Sequence, residues 1–506
     1  GVGDGHLGHR EPGLLRIRRL PGVGPKRARL LYDELGIDSL ASLREAAEAE
    51  RLRDVKGLGA KFEASVIAAI AAAGDDEDGG ARPRVLLSRA LESGEAIVAA
   101  LREHPAAGRV ELAGSARRRV DAVKDLDVIA TATDPAALAQ AFAGLDVIES
   151  AQVASGGSAP AGARGRTHSG IDVDLRIVAP EQFGNLLQHF TGSKEHNMAL
   201  RAQAVGRGLH VSEYGVLDDA TGTTHHCATE AEVYALLDLP YIEPELRENR
   251  GELAPGWTAP ELVTLDDIRG DLHCHTTASD GRNSIEEMAH AARERGYEYL
   301  VITDHSATHG FGDDVSPDEL RRQIERVREV AAGMDDFTLL IGTETNILTD
   351  GTVDYEDDLL AELDWVVASV HTSFNMKAEK MTARMISAME HPYVDLIAHP
   401  TGRLIGRRAG YDVDMEAVIA AAARTGTMLE INANPNRRDL DDVHARAAAA
   451  AGVPIVIDSD AHGVETLANM PFGVFTARRA ALGPAQVANT RSWAELDAMR
   501  KRSRGK

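Results

Sequence analysis

Within one short stretch, VELAGSARRRVDAVKDLDVIA over 110–130, stand Gly114-Ser115, the basic run Arg117-Arg118-Arg119 and the pair Asp125-x-Asp127. Apolar runs flank them, so Asp125 and Asp127 open a strand and point to the same face. Two carboxylates on a core face would suffer mutual repulsion and desolvation, and a divalent cation relieves both. Gly114-Ser115 offers backbone amides and a hydroxyl, with arginines just beyond, a cradle for the phosphates such a cation carries. An isolated D-x-D is more often a solvated surface hairpin, and the Gly-Ser-x-Arg-Arg lead is what favours phosphate chemistry. A later strand, Ile171-Asp-Val-Asp-Leu-Arg-Ile-Val178, puts Asp172 and Asp174 on one face. Pairing of the two strands would bring Asp174 beside Asp125 and Asp127, and three carboxylates around two metal ions suit in-line phosphoryl transfer. Asp172 is equally suited to an ion pair with Arg176 or another nearby arginine.

A second constellation follows Pro255, where apolar strands end in metal-type residues and lead into helices. The series runs Asp271-Leu-His273-Cys-His275, Ser279-Asp280-Gly281, Tyr299 to His305, Leu339 to Glu344, Trp365 to His371, Asp395 to His399, and Pro454 to Asp460-Ala-His462. Strand-helix alternation with functional residues at strand ends predicts a parallel barrel whose site lies on its C-terminal face. A single such histidine is more often a hydrogen-bonded rim residue, whereas seven converging segments predict a multinuclear metal site. A His, Asp and Glu donor set without thiolate suits Zn or Mn, and Cys274, alternating with its histidine neighbours, is expected to face away and be buried.

The elements positioning these residues are legible in outline. Residues 14–72 predict short helices around two G-x-G turns, Leu20 to Lys26 and Val55 to Lys61, each running into an amphipathic helix whose N-terminus favours a phosphate. A polar linker over 71–81 leads to a long helix from Val85 to Leu101; a helix from Pro135 to Phe142 and a strand near Val147 follow. Ser155 to Gly170, rich in Gly, Ser and Ala, reads as an exposed hairpin tip, and Leu237 to Asp267, rich in Pro and Glu, as a linker. The basic tail Arg500 to Lys506 is expected to be disordered, a weak DNA tether.

The 506 residues leave room for three or four domains, and two cysteines cannot build a disulfide framework, which suggests a reducing compartment. No apolar run reaches bilayer-spanning length and the start is no signal peptide, so a cytoplasmic protein with no membrane partner is expected. A net charge of -24 argues against a basic DNA footprint overall, yet Arg16 to Arg29 holds six basic residues and no acid.

Gly114-Ser115-x-Arg117-Arg118, Asp125-x-Asp127, Asp174-Leu-Arg176 and Phe190-Thr191-Gly192-Ser193-Lys194-Glu195-His196-Asn197, in that order, resemble the bacterial family X DNA polymerases. The resemblance implies Asp125, Asp127 and Asp174 as catalytic ligands of two Mg or Mn ions; Gly114, Ser115 and Arg118 as triphosphate contacts; Phe190, Thr191 and Gly192 as the turn under the sugar; and Asn197 and Arg201 as thumb residues at the nascent pair and template. His189 departs from the family, which usually has a tyrosine there that helps to exclude the ribose 2′-OH. The G-x-G turns resemble paired helix-hairpin-helix motifs, implying DNA-backbone contacts from Gly22, Gly24, Lys26, Gly57, Gly59 and Lys61. Only the trailing edge of the family's additional N-terminal hairpin domain is expected here, so no 5′-side grip or lyase activity is assumed. The later motifs resemble the PHP (polymerase and histidinol phosphatase) domain, implying His273, His275, Asp280, His305, Glu344, His371, His399, Asp460 and His462 as ligands of up to three Zn or Mn ions.

The expected fold class is multidomain α/β: helix-hairpin-helix region (1–80), nucleotidyltransferase-type palm (81–178), thumb (179–240), linker (241–268), distorted seven-stranded PHP barrel (269–485) and tail (486–506). The expected function is a monomeric DNA repair polymerase of the base-excision kind, filling short gaps in primer–template DNA from deoxynucleoside triphosphates, with a 3′-5′ exonuclease or 3′-end-processing barrel. The alternatives are a PHP nuclease or phosphatase whose polymerase half only positions DNA, a non-catalytic repair scaffold, and a small-molecule phosphatase.

Overall fold

The computed structural model describes residues 25–37, 40–49, 51–55, 58–59, 62–63, 66, 84–154, 161–308, 310 and 314–501. Residues 1–83 and 84–506 form two compact units. Among the expected DNA-backbone contacts, Gly22, Gly24, Gly57 and Lys61 lie outside the described residues, as does the side chain of Lys26.

In the first unit the helices Pro25–Leu35 and Leu40–Glu48 flank Gly36, whose φ of 65° suits glycine. Leu31, Ile37, Leu43, Ala46, Leu52, Val55, Leu58 and Val66 form its core. The Gly59 carbonyl accepts from the Phe62 and Glu63 amides, so Gly59 heads a helical turn. Buried Glu63 in turn accepts from the Leu52 amide at 3.0 Å and from Arg53 Nε at 2.7 Å.

The second unit opens on a five-stranded sheet in the order Ala107–Leu112, Asp125–Ala132, Asp172–Val178, Gly162–Thr167, Ile148–Ala154. Asp125–Ala132 and Asp172–Val178 run parallel at its centre, and the helices Leu87–Arg102 and Pro135–Ala143 supply its apolar cover. Pro135 occupies the first helical turn, with the Asp134 carboxylate capping the Ala137 amide at 3.0 Å. The long helix begins two residues later than expected, because Val85–Leu86 pairs as a short strand with Ala122–Val123.

The Gly- and Ala-rich stretch read as a hairpin tip holds the strand Gly162–Thr167, bonded on both sides. Its glycines mark close approach: a Cβ on Gly162 would lie 2.2 Å from the Leu175 carbonyl oxygen, and one on Gly165 would lie 2.9 Å from the Phe142 ring. Composition pointed to a loop at positions where packing forbids a side chain.

After the sheet, helices Phe183–Thr191 and Lys194–Val205 are followed by a three-stranded antiparallel sheet and the helix Glu230–Leu236, which starts on a Thr229/Glu232 capping box. The Pro- and Glu-rich stretch that comes next is packed, its Ile242, Leu246, Leu253 and Leu262 joining Leu200 and Tyr234 in one cluster.

Seven parallel strands in sequence order, from Gly270–Asp271 to Ile455–Asp458, make the largest sheet among the described residues. A bridge between Cys274 and Ala461, with the Ser459 amide donating to Asp271 Oδ1 at 3.1 Å, brings the last strand back to the first and nearly closes a barrel. The strand Met428–Asn432, not singled out from the sequence, is sixth in that order. Leu272, Tyr299, Val301, Leu340, Trp365, Val367, Leu396, Met428 and Val456 fill the interior. Residues 486–499 join that cluster through Ala488 and Leu496, with Trp493 and Met499 packed against it.

The basic tail is not free at its start. Arg500 donates to the Asp364 carbonyl, and Lys501 Nζ donates to the Met389 and His391 carbonyls at 2.7 and 3.0 Å, at the C-terminal end of the helix Ala378–Glu390. Lysine there satisfies carbonyls that have no intrahelical donor. The remainder of the tail lies outside the described residues. Among the described residues no helix is long and apolar enough to cross a membrane. Leu496→Ala removes a fully buried side chain from the barrel interior, and the expected cost is about 2–4 kcal/mol, read as an earlier urea midpoint of the barrel's unfolding; an unmoved midpoint would show that residues 486–499 do not complete this core.

Candidate active sites

The parallel register sets Asp125 opposite Asp172 and Asp127 opposite Asp174, so the expected triad meets at one end of the central strand pair. Burial, then the charges of Asp125 and Asp174, pushes the Asp127 carboxyl up to about 7. Gly114 lies against it with φ 63°, and a Cβ there would stand 2.3 Å from Asp127 Oδ2. Only glycine fits, and this holds the Gly114–Arg117 turn against the carboxylates. Arg176 pairs with Asp174 at 3.1 Å, Arg164 approaches it at 3.6 Å, and Asp172 pairs with Arg166 at 3.5 Å.

Arg118 Nη1 donates to the Thr191 carbonyl at 2.5 Å, Arg118 Nε donates to Glu248 at 3.1 Å, and Arg117 Nη1 reaches Thr191 Oγ1 at 2.7 Å. The arginine run is thereby fastened to the Phe190-Thr191-Gly192 turn. Behind it, Arg117 grips Glu230 with both terminal nitrogens, at 2.9 and 2.7 Å, and fully buried Arg247 takes the same carboxylate at 2.6 Å. Burial opposes ionisation of Glu230, but Arg247 and Arg117 hold it down to about 2. Glu230 and Arg247 belong to no motif, and no sequence signal marked them.

Phe190 lies under the Arg176 guanidinium at 4.3 Å. Asn197 donates to the His189 carbonyl at 2.7 Å and accepts from Gln188 at 2.9 Å, which ties the thumb helix to the turn. Arg201 Nη2 stands 2.9 Å from His189 Nδ1, with Glu213 3.8 Å away. Burial lowers the pKa of His189, favouring the neutral ring that accepts from Arg201.

At the barrel's C-terminal end all nine expected residues converge. Glu344 stands at their centre: its Oε2 lies 2.9, 3.3 and 3.5 Å from His305, His273 and His275, and its Oε1 lies 3.0 and 3.2 Å from His399 and His371. Asp460 is 3.1 Å from His275 and Asp280 is 3.3 Å from His462. Four overlapping groups could each hold a cation: His275, Asp280, His305 and His462; His273, His275 and Asp460; His305, Glu344 and His371; and His273, Glu430 and Asp458. The chemistry of the donors fits. Buried His275 Nδ1 and His399 Nδ1 have no hydrogen-bond partner among the described residues, as a lone pair left for a metal should not. Burial, then His462 and His305, lowers His275 to about 4, and burial lowers His371 to about 4, which keeps both rings neutral for coordination. His399 and Asp460 sit at φ 30° and 50°, a conformation that costs of order 1–3 kcal/mol and persists only where the surroundings impose it.

A layer behind these residues orients them. Glu430 accepts from His273 Nδ1 at 2.7 Å and from the His399 amide, and Asn432 Nδ2 donates to Glu430 and Asp460 at 3.2 and 3.0 Å. Asp458 is raised well above the carboxylate range by burial and then by the neighbouring Glu430, so it is the protonated member of that pair. Asp304 accepts from Thr276 and Ser279 at 2.7 and 2.5 Å and steadies the loop that carries Asp280. The one clue to Glu430 and Asn432 was polar residues spaced two apart in the apolar strand Met-Leu-Glu-Ile-Asn. Cys274 is buried and directed at the Val301 carbonyl, as expected.

Residues 14–72 match the SAM-like helix-hairpin-helix tandem, 186–248 the DNA polymerase beta thumb and 271–433 the PHP domain. A DNA polymerase/3′-5′ exonuclease PolX of Bacillus subtilis (strain 168) is 40% identical over 491 residues, 97% of this chain and 85% of that one. The chain belongs to the bacterial family X DNA polymerases. The family X chain therefore combines helix-hairpin-helix, polymerase-thumb and PHP regions, a nucleotidyltransferase joined to a metal-binding barrel. A probable phosphatase of Syntrophotalea carbinolica is 29% identical over 237 residues, 45% of this chain and 94% of its own. One of Shewanella sediminis is 33% identical, across 38% and 77%.

Two outcomes follow from this geometry. Glu430→Gln, at the carboxylate that accepts from His273 Nδ1, should weaken barrel metal binding about 10–100-fold by competition with a chelator, and unchanged affinity would show that Glu430 does not orient His273. Because Asp127 is protonated below about 7 and a cation binds only the ionised form, the palm's Mn affinity should rise with pH below that value and level off above it. Paramagnetic titration of a His371→Ala background across that range would show the slope; a flat profile would contradict it.

Proposed function

We propose that this polymerase fills short gaps in DNA at the Asp125–Asp127–Asp174 centre and that the barrel trims or cleans 3′ ends. The observation that carries the reading is the strand register setting Asp127 opposite Asp174, with the arginine-bearing Gly114–Arg117 turn packed against them by a glycine. The likeness to the Bacillus subtilis polymerase/exonuclease over nearly the whole chain supports both halves of it. In this reading residues 1–80 grip the DNA backbone, through Gly22, Gly24, Lys26, Gly57, Gly59 and Lys61. Residues 81–178 form the palm, 179–240 the thumb, 241–268 the linker, 269–485 the PHP domain and 486–506 the tail. The enzyme works as a cytoplasmic monomer on gapped or primer–template DNA with deoxynucleoside triphosphates.

At the palm, Asp125, Asp127 and Asp174 would hold two Mg or Mn ions, which supply polarisation of the primer hydroxyl and of the transferred phosphate. Gly114 and Ser115 present their backbone amides to the triphosphate. Arg118 has Nη2 left for the same anion once Nε and Nη1 are taken by Glu248 and Thr191. The Phe190-Thr191-Gly192 turn carries the sugar, and Asn197 holds that turn through the His189 carbonyl while Arg201 faces the template.

At the barrel, His273, His275, Asp280, His305, Glu344, His371, His399, Asp460 and His462 would hold up to three Zn or Mn ions, supplying water activation and charge neutralisation at a phosphate ester. Arg437, with Nε 3.9 Å from Asp460, is placed to take a phosphate oxygen at the mouth. A second reading, removal of a 3′-phosphate rather than a nucleotide, is favoured by the chain's likeness to the probable phosphatase of Syntrophotalea carbinolica over 94% of that protein's length.

One gapped duplex with a labelled primer tests these assignments. In Mn with deoxynucleotides, Asp125→Ala plus Asp127→Ala should abolish extension and spare shortening, and His371→Ala should do the reverse. A wild type that shortens the primer without ever extending it would leave the barrel as the only working centre. A primer ending in 3′-phosphate decides the second reading: release of inorganic phosphate without shortening identifies a phosphatase.

A further inference from the structure

The turn that bears the triphosphate arginine is held from outside the polymerase half. The helix Met470–Arg479, which follows the last barrel strand, sets Phe472 and Phe475 against the palm core, and Arg119 lies over the Phe475 ring at 4.4 Å. Three barrel arginines then close on residues 118–121. Arg403 and Arg438 share the Asp121 carboxylate at 2.8 and 3.1 Å, and Arg438 Nη2 donates to the Arg119 carbonyl at 2.9 Å. Arg479 Nη1 donates to the Arg118 carbonyl at 2.7 Å and to Glu248 Oε1 at 2.8 Å, the same oxygen that accepts from Arg118 Nε. Its Nη2 is anchored on Asp442 at 3.0 Å, which Arg250 also holds at 2.8 Å.

We propose that Arg479, a barrel residue, is a positioning residue for the polymerase reaction, setting the Arg118 guanidinium for the incoming triphosphate through Glu248 and the Arg118 carbonyl. The inference rests on the reading of Arg118 as a triphosphate contact. The physical reason lies in the geometry of a shared carboxylate. Glu248 alone would draw Arg118 towards itself as a competing anion, but with Arg479 on the same oxygen its charge is divided between two guanidiniums. The bond from Arg479 to the Arg118 carbonyl fixes the backbone at the root of that side chain. Arg118 Nη1 is spent on the Thr191 carbonyl, so Nη2 is the donor this arrangement presents. Arg479 is 8% exposed, too enclosed to meet nucleotide or DNA itself.

The test is single-nucleotide insertion by the full chain on a one-gap duplex. Arg479→Ala is expected to raise the nucleotide KM about tenfold while kcat stays within about twofold, because ground-state placement of the triphosphate is what is lost. Arg479→Lys keeps the charge but cannot serve Glu248, Asp442 and the carbonyl together, and should fall between. Arg478→Ala is the control: that neighbour staples the same interface through Glu245 at 2.7 Å without reaching Arg118 or Glu248. A stapling role alone would move both variants equally, and that result overturns the proposal. So does an unchanged KM in Arg479→Ala when Arg118→Ala raises it. If Arg118→Ala itself leaves KM untouched, the triphosphate reading fails and the proposal falls with it. Barrel phosphoesterase turnover, unchanged in the Arg479 and Arg478 variants, reports that each preparation is folded; should Arg479→Ala lose it, the Arg479→Lys comparison decides alone.

Discussion

Glu344 lies at 1% exposure with its two oxygens 2.9 to 3.5 Å from five imidazoles. A carboxylate at that depth stays ionised only because imidazoles surround it: burial works against the anion, yet the rings of His371, His273 and His305 hold it well below the usual carboxylate range. Five ring nitrogens reach one side chain only if the strand ends bearing them converge. The interior therefore has to be filled at the opposite end, by Trp365, Tyr299 and residues 486–499, so that the C-terminal end is left for polar groups. The same constraint reappears in the palm. There Asp127 faces Asp174 across a parallel pair, and burial, then the charges of Asp125 and Asp174, raises it to about 7. The palm thus holds anionic charge that the protein by itself does not fully neutralise, the condition under which a cation binds with profit to stability.

The two centres are not hung on separate beads. Asp121 is shared by Arg403 and Arg438, Arg478 reaches Glu245, and Arg250 and Arg479 share Asp442, while Phe472 and Phe475 pack against the palm's apolar core. Ion pairs at this depth are demanding. Removing one partner leaves an uncompensated buried charge, so they specify one arrangement of barrel against palm more than they add stability. Arg403 follows closely after His399 in the chain, and its partner Asp121 lies just beyond Arg118. The segments that meet at the interface are thus the same ones that carry candidate residues on each side.

Much of this was legible in the residues themselves. The two aspartate strands, the helix begun at Pro135 and the parallel rhythm of a barrel with donors at its strand ends follow from alternation, spacing and donor type, which are local properties of the chain, while the resemblance to the PHP domain implied the full set of nine. What escaped has a common cause. Gly162 and Gly165 resemble loop residues until the Leu175 carbonyl and the Phe142 ring are seen to leave no space for a Cβ. Glu430, Asp458, Glu230 and Arg247 carry no motif, because each acquires its role from a partner far away in the sequence. Lys501 looked like the start of a free tail until its ammonium met the carbonyls of a helix end.

The sequence by itself determined which side chains could bind cations and phosphates and the order of elements that carries them, because donor chemistry and hydrophobic period are written residue by residue. Tertiary structure decided which carboxylate stands at the centre of the barrel site, which residues orient its ligands, and that a barrel arginine sits behind Arg118. Charge compensation of a buried group depends on distance in space, and distances between residues hundreds of positions apart exist only once the chain has folded.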